Sequence, residues 1–327
     1  MYVYYRRKKK IAEWRGAMSS MDVEPPVQVA PRITAVPDWE IVVYDTGPLA
    51  MLVKTVSAVL ERNVMFRIDK EDDFYFLMVD GNDPGFSCSL SARLQIDETH
   101  FKTDGEAQGA RFCVDPKHLL IALDGSSNAT SHVKVQAFSQ EALVRVVLYD
   151  PERKSCEEVS ELVTYVHGDE EQLREFDFLL TLELDLVKLK ELIRKARDCK
   201  AEKLNIKVDT KQYGATERSR IQFLVSGEMT LKQRFAHAVH QDEDGSLYVR
   251  ADDDGLDDLS HTGWETKLDQ TFPVAKIDAF VKNLPNTMVS SNLRNGLPLM
   301  IAHKLGGAHE MSHLRFFVAP LVDGSED

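Results

Sequence analysis

The chain has 327 residues, 43% of them hydrophobic, and a formal net charge of −13. That length gives room for two domains of about 130–150 residues each, and the lack of any apolar run of about 18 residues excludes a membrane-spanning helix. Because proteins that bind nucleic acid are usually basic, any contact with DNA has to come from a locally basic face. The four cysteines, Cys88, Cys113, Cys156 and Cys199, are far apart, which favours a reducing compartment with neither a disulfide framework nor a zinc site.

Residues 1–38 are predicted to form a disordered, basic and proline-containing tail. Arg6–Lys10 reads RRKKK, which is typical of a nuclear localisation signal but equally of a solvated basic tail or of sequence before the true start site. No apolar stretch follows these basic residues, so the segment is not a secretory signal.

Residues 39–150 are predicted to form a first domain of strands with two helices. The strands are expected at Ile41–Tyr44, Val64–Asp69, Phe74–Val79, Phe86–Leu94, Val133–Phe138 and Ala142–Tyr149. Pro48 begins the first helix, whose apolar residues recur at helical spacing, and Pro116 begins the second after Asp115. Residues 151–176 show no strong helical or strand period, are rich in glutamate, and are predicted to form a loop that connects two domains.

Residues 177–323 are predicted to form a second domain, followed by an acidic tail at 324–327. Its strands are expected at Phe178–Leu184, Leu204–Val208, Arg220–Ser226, Lys232–Val239, Thr287–Ser291, Leu297–His303 and His313–Val318, with a short strand at Tyr248–Arg250. Its helices are expected at Asp185–Lys200 and after Phe272, with Pro273 in the first turn. Both halves follow the same order, which indicates an internal duplication with both helices of each half on one face of a sheet.

The most specific pattern is the C-terminal stretch Gly296–Pro320. It contains Leu297-Pro298-Leu299, then Lys304-Leu305, then HLRFFVAP over His313–Pro320, with an acidic tail after it. In order and spacing these pieces resemble the C-terminus of sliding clamps of the proliferating cell nuclear antigen family. The resemblance implies an α+β fold: a duplicated DNA-clamp unit of two β-rich domains, each with two helices on one sheet face, that forms one protomer of a ring.

The same resemblance implies a function. The chain would be a DNA sliding clamp and polymerase processivity factor that encircles duplex DNA without reading its sequence and docks replication and repair proteins. The implied partners are double-stranded DNA, DNA polymerase, the clamp loader and other proteins with PIP-box-type peptides. The implied assembly is a homotrimer in the nucleus, with no enzymatic activity, no cofactor, no metal and no membrane.

The helix expected at Asp185–Lys200 has one apolar face, and basic residues crowd the rest of it. A cationic helix face against phosphates gains free energy from counterion release without reading sequence, although acidic neighbours would also allow a plain solvated face. The resemblance places this helix in the central channel of the ring. Most basic residues of that channel would then come from the helices in the second half of the chain. The candidate DNA-binding residues are Lys54, Arg62, Lys117, Lys188, Lys190, Arg194, Lys195, Arg197, Lys276 and Lys282.

The connecting segment resembles the interdomain connecting loop of the clamp family, because an apolar patch precedes Glu171-Gln172-Leu173. In clamps this loop, a loop of the first domain and the residues after the last strand form a pocket for partner peptides, and exposed apolar patches of this kind usually mark binding sites. The candidate pocket residues are Val79, Val163, Tyr165, Val166, Phe317, Ala319 and Pro320. The alternative is that Val163 and Val166 only attach the loop to the sheet.

Other interpretations stay open. The thin basic face of the first half and the long N-terminal tail would also suit one subunit of a heterotrimeric checkpoint clamp, or a viral processivity factor that acts as a monomer or dimer. A metal-dependent enzyme would use the acidic loop at 240–261, but these residues lack EF-hand spacing and lie in one segment. For a ring, the expected edges are Ala142–Tyr149 of one chain and Lys232–Val239 of the next, paired head to tail.

Overall fold

The computed structural model describes residues 36–44, 46–61, 64–71, 74–83, 87–96, 101–103, 111–124, 132–138, 140–149, 157–165, 176, 178, 180–213, 216–241, 247–250, 263–305 and 311–321. Within these ranges the chain forms eighteen strands and four helices. None of the described helices has both the length and the apolar character needed to cross a membrane.

The first half contains nine strands and two helices within the described ranges. These are β1 (Trp39–Val43), α1 (Thr46–Val59), β2 (Val64–Glu71), β3 (Phe74–Asn82), β4 (Cys88–Ile96), β5 (Phe101–Thr103), β6 (Arg111–Val114), α2 (Pro116–Ala122), β7 (His132–Phe138), β8 (Leu143–Tyr149) and β9 (Glu157–Val163). Helix α2 begins where the sequence predicts, because Pro116 suits the first turn and Asp115 Oδ1 accepts a hydrogen bond from the Lys117 backbone N–H at 2.8 Å.

The second half repeats this order. Its elements are β10 (Leu180–Asp185), α3 (Leu186–Asp198), β11 (Lys203–Tyr213), β12 (Thr216–Ser226), β13 (Thr230–Gln241), β14 (Leu247–Arg250), β15 (Glu265–Pro273), α4 (Val274–Val281), β16 (Met288–Leu293), β17 (Leu299–Lys304) and β18 (His313–Val318). Each half therefore reads strand, helix, five strands, helix, three strands, and the predicted duplication is confirmed at the level of element order. Asp185 caps α3 as Asp115 caps α2, accepting from the Val187 N–H at 2.8 Å.

Four strands lie where the sequence analysis expects none, namely the short strands β5 and β6 and the longer strands β9 and β15. Strand β9 falls inside the segment predicted to be a loop, and it pairs along its whole length with β8, from Tyr149↔Glu157 to Leu143↔Val163. Its three glutamates hide the strand pattern, and the buried Leu162 anchors it to the core. Strand β15 was also missed, because its buried residues Leu268, Gln270 and Phe272 alternate with polar ones and only two of the three are apolar.

The two halves are joined by one continuous sheet. Strand β18 of the second half pairs antiparallel with β4 of the first, from His313↔Arg93 to Val318↔Cys88. This pairing extends the strand order β10-β16-β17-β18-β4-β3-β2-β6 across the boundary between the halves. Strands β5-β1-β7-β8-β9 form a separate five-stranded sheet of the first half.

The four helices lie in one row, in the order α2-α1-α4-α3. Their contacting neighbours are α2 with α1, α1 with α4, and α4 with α3. The α1–α4 contact crosses the boundary between the halves, and there the Asn283 side-chain amide donates to the Lys54 carbonyl oxygen at 3.3 Å. Apolar side chains fix the helices to the sheets, for example Phe280 of α4, whose ring stacks on Phe316 of β18 at 4.6 Å between centroids.

The edges predicted for ring closure need one correction. Strand β8 lies between β7 and β9, so the segment Ala142–Tyr149 is not a sheet edge. The edge of that sheet is β9, which among the described strands pairs only with β8. Residues 230–238 of β13 pair with β12 alone among the described strands, so most of the predicted Lys232–Val239 edge does have one unpaired side.

Candidate nucleic-acid interface and docking surface

Helix α3 is the most basic element of the helix row. Its sequence LVKLKELIRKARD contains five basic and two acidic residues. Leu186, Leu189 and Ile193 are buried on one face, so the charged residues occupy the rest of the helix surface. The sequence predicted this division correctly, because the apolar residues recur at helical spacing.

Three of the α3 cations have acidic partners at the surface. The Lys195 ammonium lies 2.8 Å from Glu191, and the guanidinium groups of Arg194 and Arg197 lie 3.8 Å from Asp198 and 3.2 Å from Asp278. Surface pairs of this kind contribute roughly 0–1 kcal/mol each. They therefore do not prevent these cations from exchanging a carboxylate for a phosphate.

Lys190 is placed differently from the other α3 cations. Its ammonium donates to the Leu284 carbonyl oxygen at 2.6 Å and to Asn286 Oδ1 at 3.0 Å, both just after α4. Burial lowers the pKa of Lys190 below its usual value. In this position the side chain joins α3 to the end of α4.

Lys276 of α4 also has a partner that the sequence does not reveal. Its ammonium donates to Asp83 Oδ2 at 2.6 Å, and Asp83 follows the end of β3 in the other half of the chain. Partial burial acts to lower the pKa of Lys276, but the hydrogen bond to Asp83 and the negative charges nearby outweigh it, so that the pKa is raised. This pair is an ionic contact between the two halves.

The remaining candidate cations are spread over the helix row. Lys54 on α1, Lys117 at the start of α2 and Lys282 at the end of α4 are exposed, and Lys188 on α3 is half-buried. Arg62 lies outside the described residues. The structure thus brings together Lys188, Arg194, Lys195 and Arg197 on α3 but does not collect a comparable group on α1 or α2.

The candidate docking residues do not form one site. Val79 has 0% of its surface exposed, so it lines no surface, contrary to the prediction. The reason is the strand period of β3, which turns Leu77 and Val79 into the core together. Val163 and Tyr165 are exposed, and Val166 lies outside the described residues.

Tyr165 and Phe317 lie at separate places along the long sheet. The Tyr165 backbone N–H donates to the Cys113 carbonyl oxygen at 2.9 Å, which places it beside β6. Strands β2, β3 and β4 lie between β6 and β18. Tyr165 is thus five inter-strand steps from Phe317, and at about 4.8 Å per step the two residues are roughly 24 Å apart along the sheet.

The C-terminal part of the candidate pocket is partly covered. Phe317 is only 8% exposed, and its ring centroid lies 6.0 Å from that of Phe176. The Phe176 ring is in turn 6.0 Å from that of Phe178. After β18, the Ala319 N–H donates to the Ser87 carbonyl oxygen at 3.0 Å, and Ala319 and Pro320 are half-buried beside the start of β4.

The described residues contain no group of three or more His, Cys, Asp or Glu side chains that could hold a metal ion. Most of the acidic loop at 240–261, including residues 242–246 and 251–261, lies outside the described ranges. Cys88, Cys113 and Cys199 are buried free thiols, and burial raises the pKa of Cys88 to about 11.

Comparisons with known proteins bear on the fold. No protein-family model and no curated protein sequence matches the chain. A solved structure that is similar is the PCNA2–PCNA3 complex from Sulfolobus tokodaii, with a TM-score of 0.59 over 86% of this chain and 98% of that chain. The chain has the sliding-clamp fold. At 12% identity the likeness shows the fold alone, and the predicted duplicated DNA-clamp fold is confirmed.

Proposed function

We propose that the chain is a DNA sliding clamp, a non-catalytic protomer of a ring that encircles duplex DNA and acts as a processivity factor for DNA polymerase. The proposal is supported by the clamp fold together with one observation, the basic helix α3 at the end of a continuous row of four helices. In a ring, each protomer would contribute one such helix to the channel.

The charge pattern suits a clamp that holds DNA loosely. Phosphate contacts supply affinity that does not depend on sequence and that falls steeply with salt. Arg194 and Arg197 are themselves exposed, so they can alternate between Asp198 or Asp278 and a phosphate. Contacts of this kind let a ring slide, whereas base-specific contacts would stop it.

The proposed assembly is a homotrimer in the nucleus. Protomers would join head to tail, with the β9 edge of one chain beside the β13 edge of the next, an arrangement that closes by rotation. Polymerase, clamp loader and other peptide-bearing partners would dock around Phe317, Ala319 and Pro320. These statements go beyond the fold and rest on the free edges and on the resemblance of the C-terminal strand.

Topological retention on DNA tests the function. The protein is allowed to thread onto a linear duplex with one free end, the free end is then blocked, and the complex is washed in high salt. A clamp stays on the blocked DNA and is released when a restriction enzyme cuts it. If high salt removes the protein from blocked DNA, or if it binds closed circles and open duplexes equally, the proposal is wrong.

A subunit of a heteromeric clamp is the second candidate. The similar Sulfolobus structure is a complex of two different clamp chains, and α1 and α2 carry few cations. Such a subunit would fail to form rings alone but would be retained on DNA after its partner chains are added.

A further inference from the structure

The long sheet has an outer face, opposite the helix row, on the strands where the two halves meet. Phe316 of β18 faces the helices, because its ring stacks on that of Phe280. Since side chains alternate between the two faces of a strand, His313 and Arg315 lie on the outer face of β18. Any ligand bound there is separated by the sheet from whatever the helix row contacts.

The strands that form this outer face are free of acidic residues. The four neighbouring strands β16, β17, β18 and β4 read MVSSNL, LMIAHK, HLRFFV and CSLSARLQI. The whole chain has 53 acidic residues among 327, about one in six. Their absence from four adjacent strands leaves an electropositive area on an otherwise acidic protein.

The basic residues of these strands lie side by side on the outer face. Lys304 of β17 pairs with His313 of β18, which pairs in turn with Arg93 of β4, and Arg315 follows two residues after His313. We term Lys304, His313, Arg315 and Arg93 the outer cluster. With strands about 4.8 Å apart and alternate residues about 6.8 Å apart, the backbone positions of its three cations are roughly 8–10 Å from one another.

Two cations of the outer cluster are available to an anion. Lys304 and Arg315 are exposed, and neither forms an ion pair with another residue in the described part of the chain. Arg93 is instead held in place, because its guanidinium lies 3.5 Å above the ring centroid of Phe76 and 2.7 Å from the exposed Glu71 carboxylate. The charge of Glu71 is thus balanced by Arg93, and Lys304 and Arg315 supply the net positive charge.

His313 lies between these cations as a neutral polar group. Burial lowers its pKa, and the positive charge of Arg315 lowers it further. At neutral pH its imidazole is therefore mostly uncharged and offers a hydrogen bond rather than a charge. Beside it, Met311 is 41% exposed, and the outer positions of β17 are occupied by the half-buried Met300 and Ala302. The surface thus combines cations with small polar and apolar contacts.

We propose that the outer cluster is the docking surface for an acidic segment of a partner protein, in which Asp or Glu alternates with small or apolar residues. In an extended segment alternate side chains are about 6.8 Å apart, so successive carboxylates can reach Arg315 and then Lys304. An arginine binds a carboxylate through paired, charge-assisted hydrogen bonds, and complementary charge selects such a segment over neutral ones.

Single-stranded nucleic acid fits this surface less well than an acidic segment does. Proteins that bind single strands stack bases on aromatic rings that are exposed beside their cations. The aromatic rings beside the outer cluster are covered, because Phe76 is 0% and Phe317 only 8% exposed. Carboxylates need no such rings.

Peptide binding tests the proposal. A labelled peptide in which Glu alternates with Ala is titrated with the full chain and followed by fluorescence anisotropy, and a matched peptide carries Gln in place of Glu. The Glu peptide should bind at least tenfold more tightly than the Gln peptide, with an affinity that falls as salt rises. Arg315→Glu and Lys304→Glu should each lower the affinity for the Glu peptide roughly tenfold, and R315Q should lower it less than R315E.

Two controls separate this surface from general electrostatic effects. Lys267 lies on β15, outside the four strands, so K267E makes the same change in net charge and should leave the affinity within about twofold. A single-stranded oligonucleotide of equal charge should compete less well than unlabelled Glu peptide. Circular dichroism melting checks that each variant is folded. The proposal is overturned if the Glu and Gln peptides bind equally, if K267E weakens binding as much as R315E, or if the oligonucleotide binds more tightly and R315E weakens it.

The docking surface and the proposed clamp function can fail separately. Docking on the outer face requires neither a closed ring nor DNA, so a chain that is not retained on blocked DNA can still bind the Glu peptide. Conversely, R315E should leave retention on blocked DNA unchanged, because Arg315 lies on the face away from the helix row.

Discussion

Replacing Lys276 by methionine is expected to destabilise the protein without changing how it holds DNA. Lys276 was predicted to contact DNA, but its ammonium lies 2.6 Å from Asp83 Oδ2, and Asp83 is only 8% exposed. Removing one partner of a buried ion pair costs about 3–5 kcal/mol because the other charge is left without compensation. Since the Lys276 side chain is itself 26% exposed, water compensates part of this loss, and we expect about 2 kcal/mol.

The assay is urea unfolding of the K276M variant, with a double-mutant cycle. Asp83→Asn should lower the free energy of unfolding by a similar amount, and the double variant should be less destabilised than the sum of the two. Labelling of Cys88 gives a local readout, because Cys88 lies on β4 opposite Val318 of β18, where the two halves meet. Its thiol is buried, and burial raises its pKa to about 11. A substitution that weakens the contact between the two halves should speed the reaction of Cys88 with a thiol reagent.

Arg194→Glu is the matched comparison, because Arg194 is exposed and pairs only weakly with Asp198. This variant should leave the free energy of unfolding unchanged and weaken retention on DNA most strongly at low salt. If K276M instead unfolds at the same urea concentration as the unmodified chain and weakens DNA retention as much as R194E does, then Lys276 serves the DNA interface and the ionic contact between the halves is not a stabilising one.

Three further predictions follow from single side chains. Arg197→Glu should weaken DNA retention more at low salt than at high salt, because each phosphate contact contributes a part of the affinity that salt removes, and threading assays at several salt concentrations check this. Ser291→Ala should raise the free energy of urea unfolding by about 1 kcal/mol, since the Ser291 hydroxyl is buried without a hydrogen-bond partner and lines a small apolar cavity; a lower midpoint would contradict this. His303 and His313 have pKa values lowered by burial, so the unfolded chain binds protons that the folded chain does not, and stability should fall as the pH drops below about 6.5; His303→Gln should reduce that fall.

The helices and the C-terminal strands could be predicted because their signals are local. Asp115 and Asp185 cap α2 and α3 through side chains two residues from the N–H groups that they bind. The strand alternation of Leu314 and Phe316 is likewise contained in six residues. Patterns of this kind depend on neighbours in sequence, so reading them requires no tertiary structure.

The candidate site was harder to predict because its contacts are distant in sequence. Asp83 and Lys276 are 193 residues apart, and no spacing rule links them. The resemblance to sliding clamps placed Val79 in the docking pocket, but the strand continues to Asn82 and its period turns Val79 inward. Strand β9 was missed because it needs the free side of β8 to form, and its own sequence is mostly polar.

The pairing of β18 with β4 has a consequence for biosynthesis. During translation the first half emerges with β4 already made, but the strand that covers the edge of β4 is 220 residues further along, as in the pair Arg93↔His313. Contacts of such long sequence separation form late and slowly. The nascent chain therefore carries an open strand edge at β4 until β18 has left the ribosome, and a truncation before His313 would leave that edge permanently open to other chains.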